Sequence, residues 1–283
     1  MDSMTVSIVI PVYNEGEHLV ACLSAIAAQT MAPAEVIVVN NNSTDNSVAL
    51  AESFPFVTVI HERRQGVVFA RSRGFNAASG DIIGRIDADT LVDPAWVATL
   101  QNLFTNEPID AVSGAVTYHD LPWRRFLGWL DLSFRQWIAA GMGHDVFLYG
   151  SNMALRRSAW RQVRGSVCRR GGLHEDFDLA IHLVNAGSPV VFRRQLQAAV
   201  SLRRFNIDFK DYWQYVWRSP DTYRQHGRHS QRRMYPVVAL VVANYFIIRL
   251  LYRSFDASTG RLSLANVVTE NRLLRVDPTS FVD

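Results

Sequence analysis

Lysine is almost missing from this 283-residue chain: of 29 basic residues, Lys210 alone is a lysine. A haloacid-type phosphatase, which also opens on a strand and a D-x-D, wants a later lysine, and Lys210 lies in a basic C-terminal segment. That chemistry also puts Thr or Val four residues after the first Asp, where this chain has Leu91. Both departures exclude it. The first strand is followed by "PVYNEGEH" and no G-x-G-x-x-G, which excludes a Rossmann dehydrogenase. Cysteine is scarce as well. Cys22 and Cys168 offer no metal-binding spacing and read as two reduced, structural thiols of a cytosolic protein. The N-terminus has no basic n-region and Pro11 cuts its apolar run short, so it reads as a first strand and not as a signal peptide. No internal repeat or low-complexity tract is present.

What the chain does have is core-forming material. A hydrophobic content of 48% against 19% charged residues describes a folded protein large enough for one big domain or a domain plus an appendage. The net charge of +3 is unevenly placed. Between 201 and 233 stand Arg203, Arg204, Lys210, Arg218, Arg224, Arg228, Arg232 and Arg233 against Asp208, Asp211 and Asp221, which is 8 − 3 = +5 and leaves −2 elsewhere. Charge confined to one segment points to a local anionic partner, not to nucleic acid.

The first hundred residues alternate. "TVSIVIPVYN", "EVIVVN", "VTVIHE" and "DIIGRIDAD" are short β-branched runs of the kind buried on both faces of a sheet. Between them lie helical patterns: one over 17–29, one opened by "STDNS", and "GVVFARSRGFNAASG" closed by Gly80. Asp93-Pro94 reads as the cap and first position of a fourth helix. Strand alternating with helix predicts an α/β domain with a mainly parallel sheet flanked by helices. Further on, "AVSGAVTYHD" reads as a strand, and "PWRRFLGWLDLSFRQWIAAG" as a helix with Phe126, Trp129, Leu130, Phe134 and Trp137 on one face. "HEDFDLAIHLVNAG" reads as a helix stopped by Gly187, followed by short strands "PVVFR" and "QAAVSLRR".

Ligands of such sheets bind at the carboxyl ends of the strands, and that edge receives Asn40 to Asn42 and the pair Asp87 and Asp89. Two carboxylates at i and i+2 of an extended segment project to one side and suit Mg²⁺ or Mn²⁺. The bland alternative is a solvated turn. Asp176, beside Glu175 at a helix start, is either a partner of the helix dipole or a general base. Arg71 and Arg73 either grip phosphate oxygens or lie on a solvated face.

Together, "VSIVIPVYNEGEHLVACLSAIAAQT", "EVIVVNNNSTDNS", "GVVFARSRGFNAASGDIIGRIDADT" and "HEDFDLAIHLVNAG" resemble, in order and spacing, the family 2 glycosyltransferases of GT-A fold. The resemblance covers about 5–205. It implies inverting, metal-dependent transfer from a UDP-, GDP- or dTDP-linked sugar to an acceptor hydroxyl or polyprenyl phosphate, in cell-envelope glycan or glycolipid synthesis. It assigns Pro11, Tyr13, Glu15, Asn41, Asp45, Arg71 and Asp87 to the donor, Asp87 and Asp89 to Mg²⁺ or Mn²⁺, and Asp176, with Glu175, to catalysis. "YGSNMALRR" (149–157) resembles the segment lining the acceptor side. The family's Asp-Asp turn after strand two is Asn40-Asn41 here, which leaves the choice of base open, and Ser72 stands where the family commonly has Asn. The competing reading is a scaffold that binds nucleotide sugars without turnover.

The expected layout is a GT-A domain over 1–205, with a nucleotide-sugar half (1–110) and an acceptor half (111–205), then a basic, aromatic helical extension over 206–283. Within it, "YPVVALVVANYFIIRLLY" (235–252) falls short of the about 20 residues of a bilayer span. It reads as a buried helix, an interfacial helix flanked by Arg232, Arg233, Arg249 and Arg253, or a span. The expected location is cytoplasmic, peripheral on the inner face of the plasma membrane, near a glycan or lipid-linked acceptor.

Overall fold

The computed structural model describes residues 4–142, 147–256, 259, 261–263 and 265–268. Of the extension expected over 206–283, the stretch 269–283 lies outside the described residues. Along the chain run β1 (Val6–Val12), α1 (Gly16–Ala27), β2 (Glu35–Asn40), α2 (Ser47–Glu52), β3 (Val57–His61) and α3 (Val67–Ala77). Next come β4 (Ile82–Arg85), β5 (Leu91–Val92), α4 (Trp96–Asn106), β6 (Ala111–Tyr118), α5 (Arg124–Met142), β7 (Met153–Arg156) and α6 (Arg157–Val163). Then follow α7 (Glu175–Asn185), β8 (Val190–Val200), α8 (Phe209–Gln225), α9 (Gln231–Ala243) and α10 (Tyr245–Ser254), and after them the short β9 (Phe255–Asp256), β10 (Arg261–Leu262) and α11 (Ala265–Val268).

Eight strands form one sheet in the order β3-β2-β1-β4-β7-β6-β8-β5. β3, β2, β1 and β4 pair in parallel, as do β6 and β8, while β7 and β5 run against their neighbours. The sheet is buried on both faces, which is why its strands carry continuous apolar runs. Ile8, Ile10, Val36 and Val38 pack with Leu19, Leu23, Trp96 and Leu100 on one side. Val9, Ile37, Val39 and Ile83 pack with Phe75, Trp160 and Leu179 on the other.

Several boundaries differ from the sequence expectation, each for a local reason. α3 ends at Ala77 because Ala78 is already extended. Gly80 instead donates its N–H to Ser7 Oγ (2.8 Å), at a place where a Cβ would collide with Ser7. Asp93 forms a turn through the Ala95 N–H (2.9 Å), so α4 starts two residues after Pro94. The two short strands expected near 190–204 are one strand, β8, whose pairing with β6 slips at Gly114/Ala115. α7 ends as expected: Gly187 has φ +80°, its N–H bonds to Val184 O, and Ser188 N–H bonds to Leu183 O.

The expected apolar segment 235–252 is two helices. α9 and α10 meet at Asn244, whose backbone stays helical, and together form the one helical stretch among the described residues long and apolar enough to cross a membrane. It is not a core helix: 22% of its apolar window is buried. Met234, Val237, Val238 and Tyr245 face inward, while Leu240, Phe246, Ile247 and Leu250 are exposed. α5 is turned the same way. Asp131 and Arg135 face inward at 11% and 14% side-chain exposure, whereas Phe126, Trp129 and Trp137 are 56–60% exposed.

Candidate active site

A cleft of about 420 Å³ opens at one edge of the sheet, within the ordinary range of small-molecule sites, about 300–1,000 Å³. β1, β2, β4 and β8 all end at this edge, and β7, running the other way, begins there. The strand ends therefore deliver Pro11, Tyr13 and Glu15, then Asn41, then Asp87 and Asp89, and the segment Tyr149 to Ser151. Helix α7 brings Glu175 and Asp176 to the same cleft at its N-terminus. Helices α5, α8 and α9 wall the far end with Ile138, Tyr215, Val237 and Val241.

The two aspartates of the D-x-D do not sit side by side in an extended segment. β4 ends at Arg85, and Asp87 to Asp89 lie in the turn after it. Each carboxylate has its own arginine. Arg85 NH2 lies 2.9 Å from Asp87 Oδ1, and Arg203 Nε lies 2.7 Å from Asp89 Oδ2. Repulsion between the pair is thus relieved in part by guanidiniums.

Two chains of charge result. In the first, Arg71 pairs with Glu175 through both the carboxylate and the backbone carbonyl, and Glu175 Oε1 lies 3.2 Å from Arg85, which continues to Asp87. In the second, Arg203 bridges Asp89 and Glu15, with its NH2 2.6 Å from Glu15 Oε2. Within these two chains three guanidiniums meet four carboxylates, Glu15, Asp87, Asp89 and Glu175, so 4 − 3 leaves one negative charge, while Arg135, Arg204 and Arg218 also line the cleft.

Asp176 is built differently. Its Oδ2 accepts the Gly150 N–H and its Oδ1 accepts the Phe177 N–H, both at 3.0 Å. Burial raises its pKa above the ordinary carboxylate value, against the opposing pull of Arg85 and these N–H groups. Gly150 has a second duty: a Cβ at this position would overlap the Arg85 guanidinium, so the glycine is what lets that side chain lie in the cleft. At the far end His174 is held neutral, its pKa pushed down to about 3 by burial and by Arg218 and Arg204.

Some expected donor residues are placed otherwise. Arg71 is fully buried behind Glu175 and does not line the cleft; its Nε and NH2 have no hydrogen-bond partner, and its guanidinium lies 5.8 Å and 6.0 Å from the Phe75 and Trp160 ring centroids. Asp45 is exposed and fixes the starts of α1 and α2, accepting the N–H groups of Gly16 (3.1 Å) and Ser47 (3.0 Å). Asn41 does line the cleft, but its amide is committed. Its Nδ2 donates to Glu62 O (2.9 Å) and Arg64 O (2.7 Å), and its Oδ1 accepts the Gly66 N–H (2.8 Å). Among those the sequence reading passed over, Arg85 had a signal: a lone cation inside a short apolar strand. Arg203 was visible only as part of the basic segment. Asp131, Arg135 and His174 left none.

This architecture matches that of solved GT-A glycosyltransferases. The mannosyltransferase PcManGT from Pyrobaculum calidifontis, in complex with GDP-Man and Mn²⁺, superposes with a TM-score of 0.62 at 18% identity, over 95% of this chain and 79% of that one. The sequence profile of Glycosyl transferase family 2 matches residues 7–164, and the chain belongs to that family. Among curated relatives, the uncharacterized glycosyltransferase YibD of Escherichia coli (strain K12) is 35% identical over 108 residues, 37% of this chain and 31% of that protein. The shared stretch is about a third of YibD's length. The glucosyl-dolichyl phosphate glucuronosyltransferase of Haloferax volcanii is 23% identical over 235 residues, 75% of each chain.

Proposed function

We propose that this chain transfers a sugar, with inversion, from a nucleoside-diphosphate sugar to an acceptor at the far end of the cleft, using a divalent cation at Asp87 and Asp89. One observation carries this: the strand ends bring the Asp87 and Asp89 carboxylates to the same cleft edge where Asp176 waits with a raised pKa. Hard carboxylate oxygens suit Mg²⁺ or Mn²⁺, and Asp87 keeps 32% of its side chain exposed in the cleft. The residues therefore fit the ion, which when bound would offset charge on the departing diphosphate. Asp176 accepts the proton of the attacking hydroxyl, and its two N–H partners fix its orientation. Glu175, held by Arg71 and Arg85, positions Asp87 and the start of α7. Pro11, Tyr13 and Glu15 line the donor end, while Asn41, Asp45 and Arg71 act by shaping loops and braces. PcManGT, bound to GDP-Man and Mn²⁺, supports the nucleotide-sugar and metal assignments.

The acceptor we assign is lipid-linked. Val237, Val238 and Val241 line the far end, and beside it α5 and α10 turn Trp129, Trp137, Phe246 and Ile247 outward. A surface helix that packs Ile138 and Met142 inward and turns its tryptophans outward suits a headgroup boundary. The relative that acts on a glucosyl-dolichyl phosphate supports the same class of acceptor. The chain then works peripherally, on a membrane surface.

A thermal-shift panel of UDP-, GDP- and dTDP-sugars, each with and without Mn²⁺, tests the donor assignment. One sugar nucleotide should raise the melting point, and more so with the metal. No shift with any of them sinks the proposal. Sedimentation with anionic liposomes at low salt tests the surface: the chain should pellet, and replacing Trp129 and Trp137 by Glu should release it.

A further inference from the structure

The sequence alone treats Cys168 as an isolated structural thiol, but the fold gathers a set of metal-binding groups around it. Cys168 lies in the loop between α6 and α7. Asp178 and His182 stand one helical turn apart on α7, and His226 follows α8 directly. Cys168 Sγ is 3.9 Å from Nε2 of both His182 and His226. Asp178 Oδ1 is 2.8 Å from His226 Nε2 and 3.5 Å from His182 Nε2. The four candidate ligand atoms all lie within 4.8 Å of one another.

Bond lengths of about 2.3 Å to sulfur and about 2.0–2.1 Å to nitrogen or oxygen put the ligand atoms of tetrahedral Zn²⁺ roughly 3.3–3.6 Å apart. The observed separations straddle that range, so side-chain shifts of about half an ångström would close the tetrahedron. Without an ion, the Asp178 carboxylate is the shared hydrogen-bond partner of both imidazoles and of the thiol, three groups drawn to one point. Both imidazole Nε2 atoms converge on one carboxylate oxygen, and the thiol, at 3.9 Å from each, has only long contacts with them. The two rings are nearly perpendicular, at 85°, which keeps them from stacking and lets both nitrogens face one point. The carboxylate is already oriented for the task, since the Cys168 N–H donates to its other oxygen, Oδ2, at 2.9 Å. Asp178 is 1% exposed, and the histidine side chains are 15% and 12% exposed.

We propose that Cys168, Asp178, His182 and His226 form a structural Zn²⁺ site that fastens α8 onto α7. A thiolate, two imidazoles and a carboxylate leave no open position, which marks a structural and not a catalytic ion. The clamp would hold α8, with Tyr215 and Arg218 of the cleft, against the helix whose first turn carries Asp176. It stands apart from the proposed ion at Asp87 and Asp89, and its test does not depend on transfer activity.

The untagged full chain, stripped with a chelator and dialysed, is titrated with Co²⁺ alone. One equivalent should bring up thiolate-to-cobalt charge-transfer absorption and the intense visible bands of tetrahedral cobalt, and Zn²⁺ should displace both. Cys168→Ser should abolish the charge-transfer band. His226→Gln should weaken Zn²⁺ binding by more than about 100-fold, beyond the roughly 10–100-fold effect of residues behind the ligands. Asp89→Asn should leave the cobalt spectrum intact, which separates this ion from one in the cleft. Absence of the charge-transfer band in the wild-type chain overturns the proposal, and that spectrum decides it even if a variant fails to fold. A band that survives Cys168→Ser, or disappears with an Asp89→Asn chain that keeps the wild-type circular dichroism, overturns it equally.

Discussion

The two ends of the cleft are made of different material by different parts of the chain. The donor end is a set of strand termini, where charged side chains are locked to one another by Arg71, Arg85 and Arg203. The far end is a wall of helices, α5, α8 and α9, where apolar and aromatic side chains surround a few buried polar groups. A rigid end of mutually braced charges suits a leaving group that must be held still while its charge grows, since preorganised dipoles and charges need not move during reaction. An apolar end can admit partners by shape. Asp176 stands at the seam, with its backbone in the helix layer and a hydrogen bond to a strand-edge glycine.

Four substitutions probe this division, from the largest expected effect to the smallest. Asp176→Asn should cut transfer to a hydroxyl acceptor by about 10²–10⁴-fold and leave donor affinity nearly unchanged. With a polyprenyl phosphate acceptor, already ionised, the loss should nearly vanish; a wild-type rate with a hydroxyl acceptor would break the division at its seam. Gly150→Ala drives a methyl into the Arg85 guanidinium and should destabilise the fold by about 1–3 kcal/mol, read by urea unfolding, while lowering transfer. Asn41→Asp removes both donors to Glu62 O and Arg64 O and should cost about 1–3 kcal/mol in the same measurement. An unchanged midpoint would show that the loop finds other partners.

The smallest effect sharpens the contrast from the helix side. Native His174 stays neutral down to about 3, whereas the unfolded chain protonates this residue below about 6.5. In that window the unfolded state binds the extra proton, so stability is complete above 6.5 and drains away as pH falls toward 3. Melting temperatures of His174→Gln should depend less steeply on pH between those limits than those of the wild type. Parallel curves would mean that the ring is already solvated in the native state.

Legibility in the sequence follows the same division. β-Branched runs and their spacing locate β1 to β4, because strands buried on both faces need that composition whatever surrounds them. The acids at those strand ends follow from topology. The sequence hides what depends on long-range contact. That Arg203 closes on Glu15, that Arg71 lies behind Glu175 and not in the cleft, and that α5 packs Ile138 and Met142 inward and leaves its tryptophans exposed are decided by partners far away in the chain. Resemblance to a family assigns Arg71 and Asp45 to the donor, while the contacts they make within the chain, to Glu175 and to the Gly16 N–H, are not legible in that resemblance. Asn41 illustrates the limit: a residue that the resemblance assigns to the donor spends its Nδ2 on two backbone carbonyls and its Oδ1 on the Gly66 N–H.

Arg203 also bears on where the chain can be cut. Its guanidinium joins residue 15 to residue 89, and both carboxylates it neutralises are buried. A fragment ending at 164, where the family match stops, would lose Arg203 together with β8, the strand that pairs with both β5 and β6. An expression boundary should be drawn beyond the second arginine of "SLRR", which keeps both β8 and Arg203 and is longer than the stretch that carries the family match.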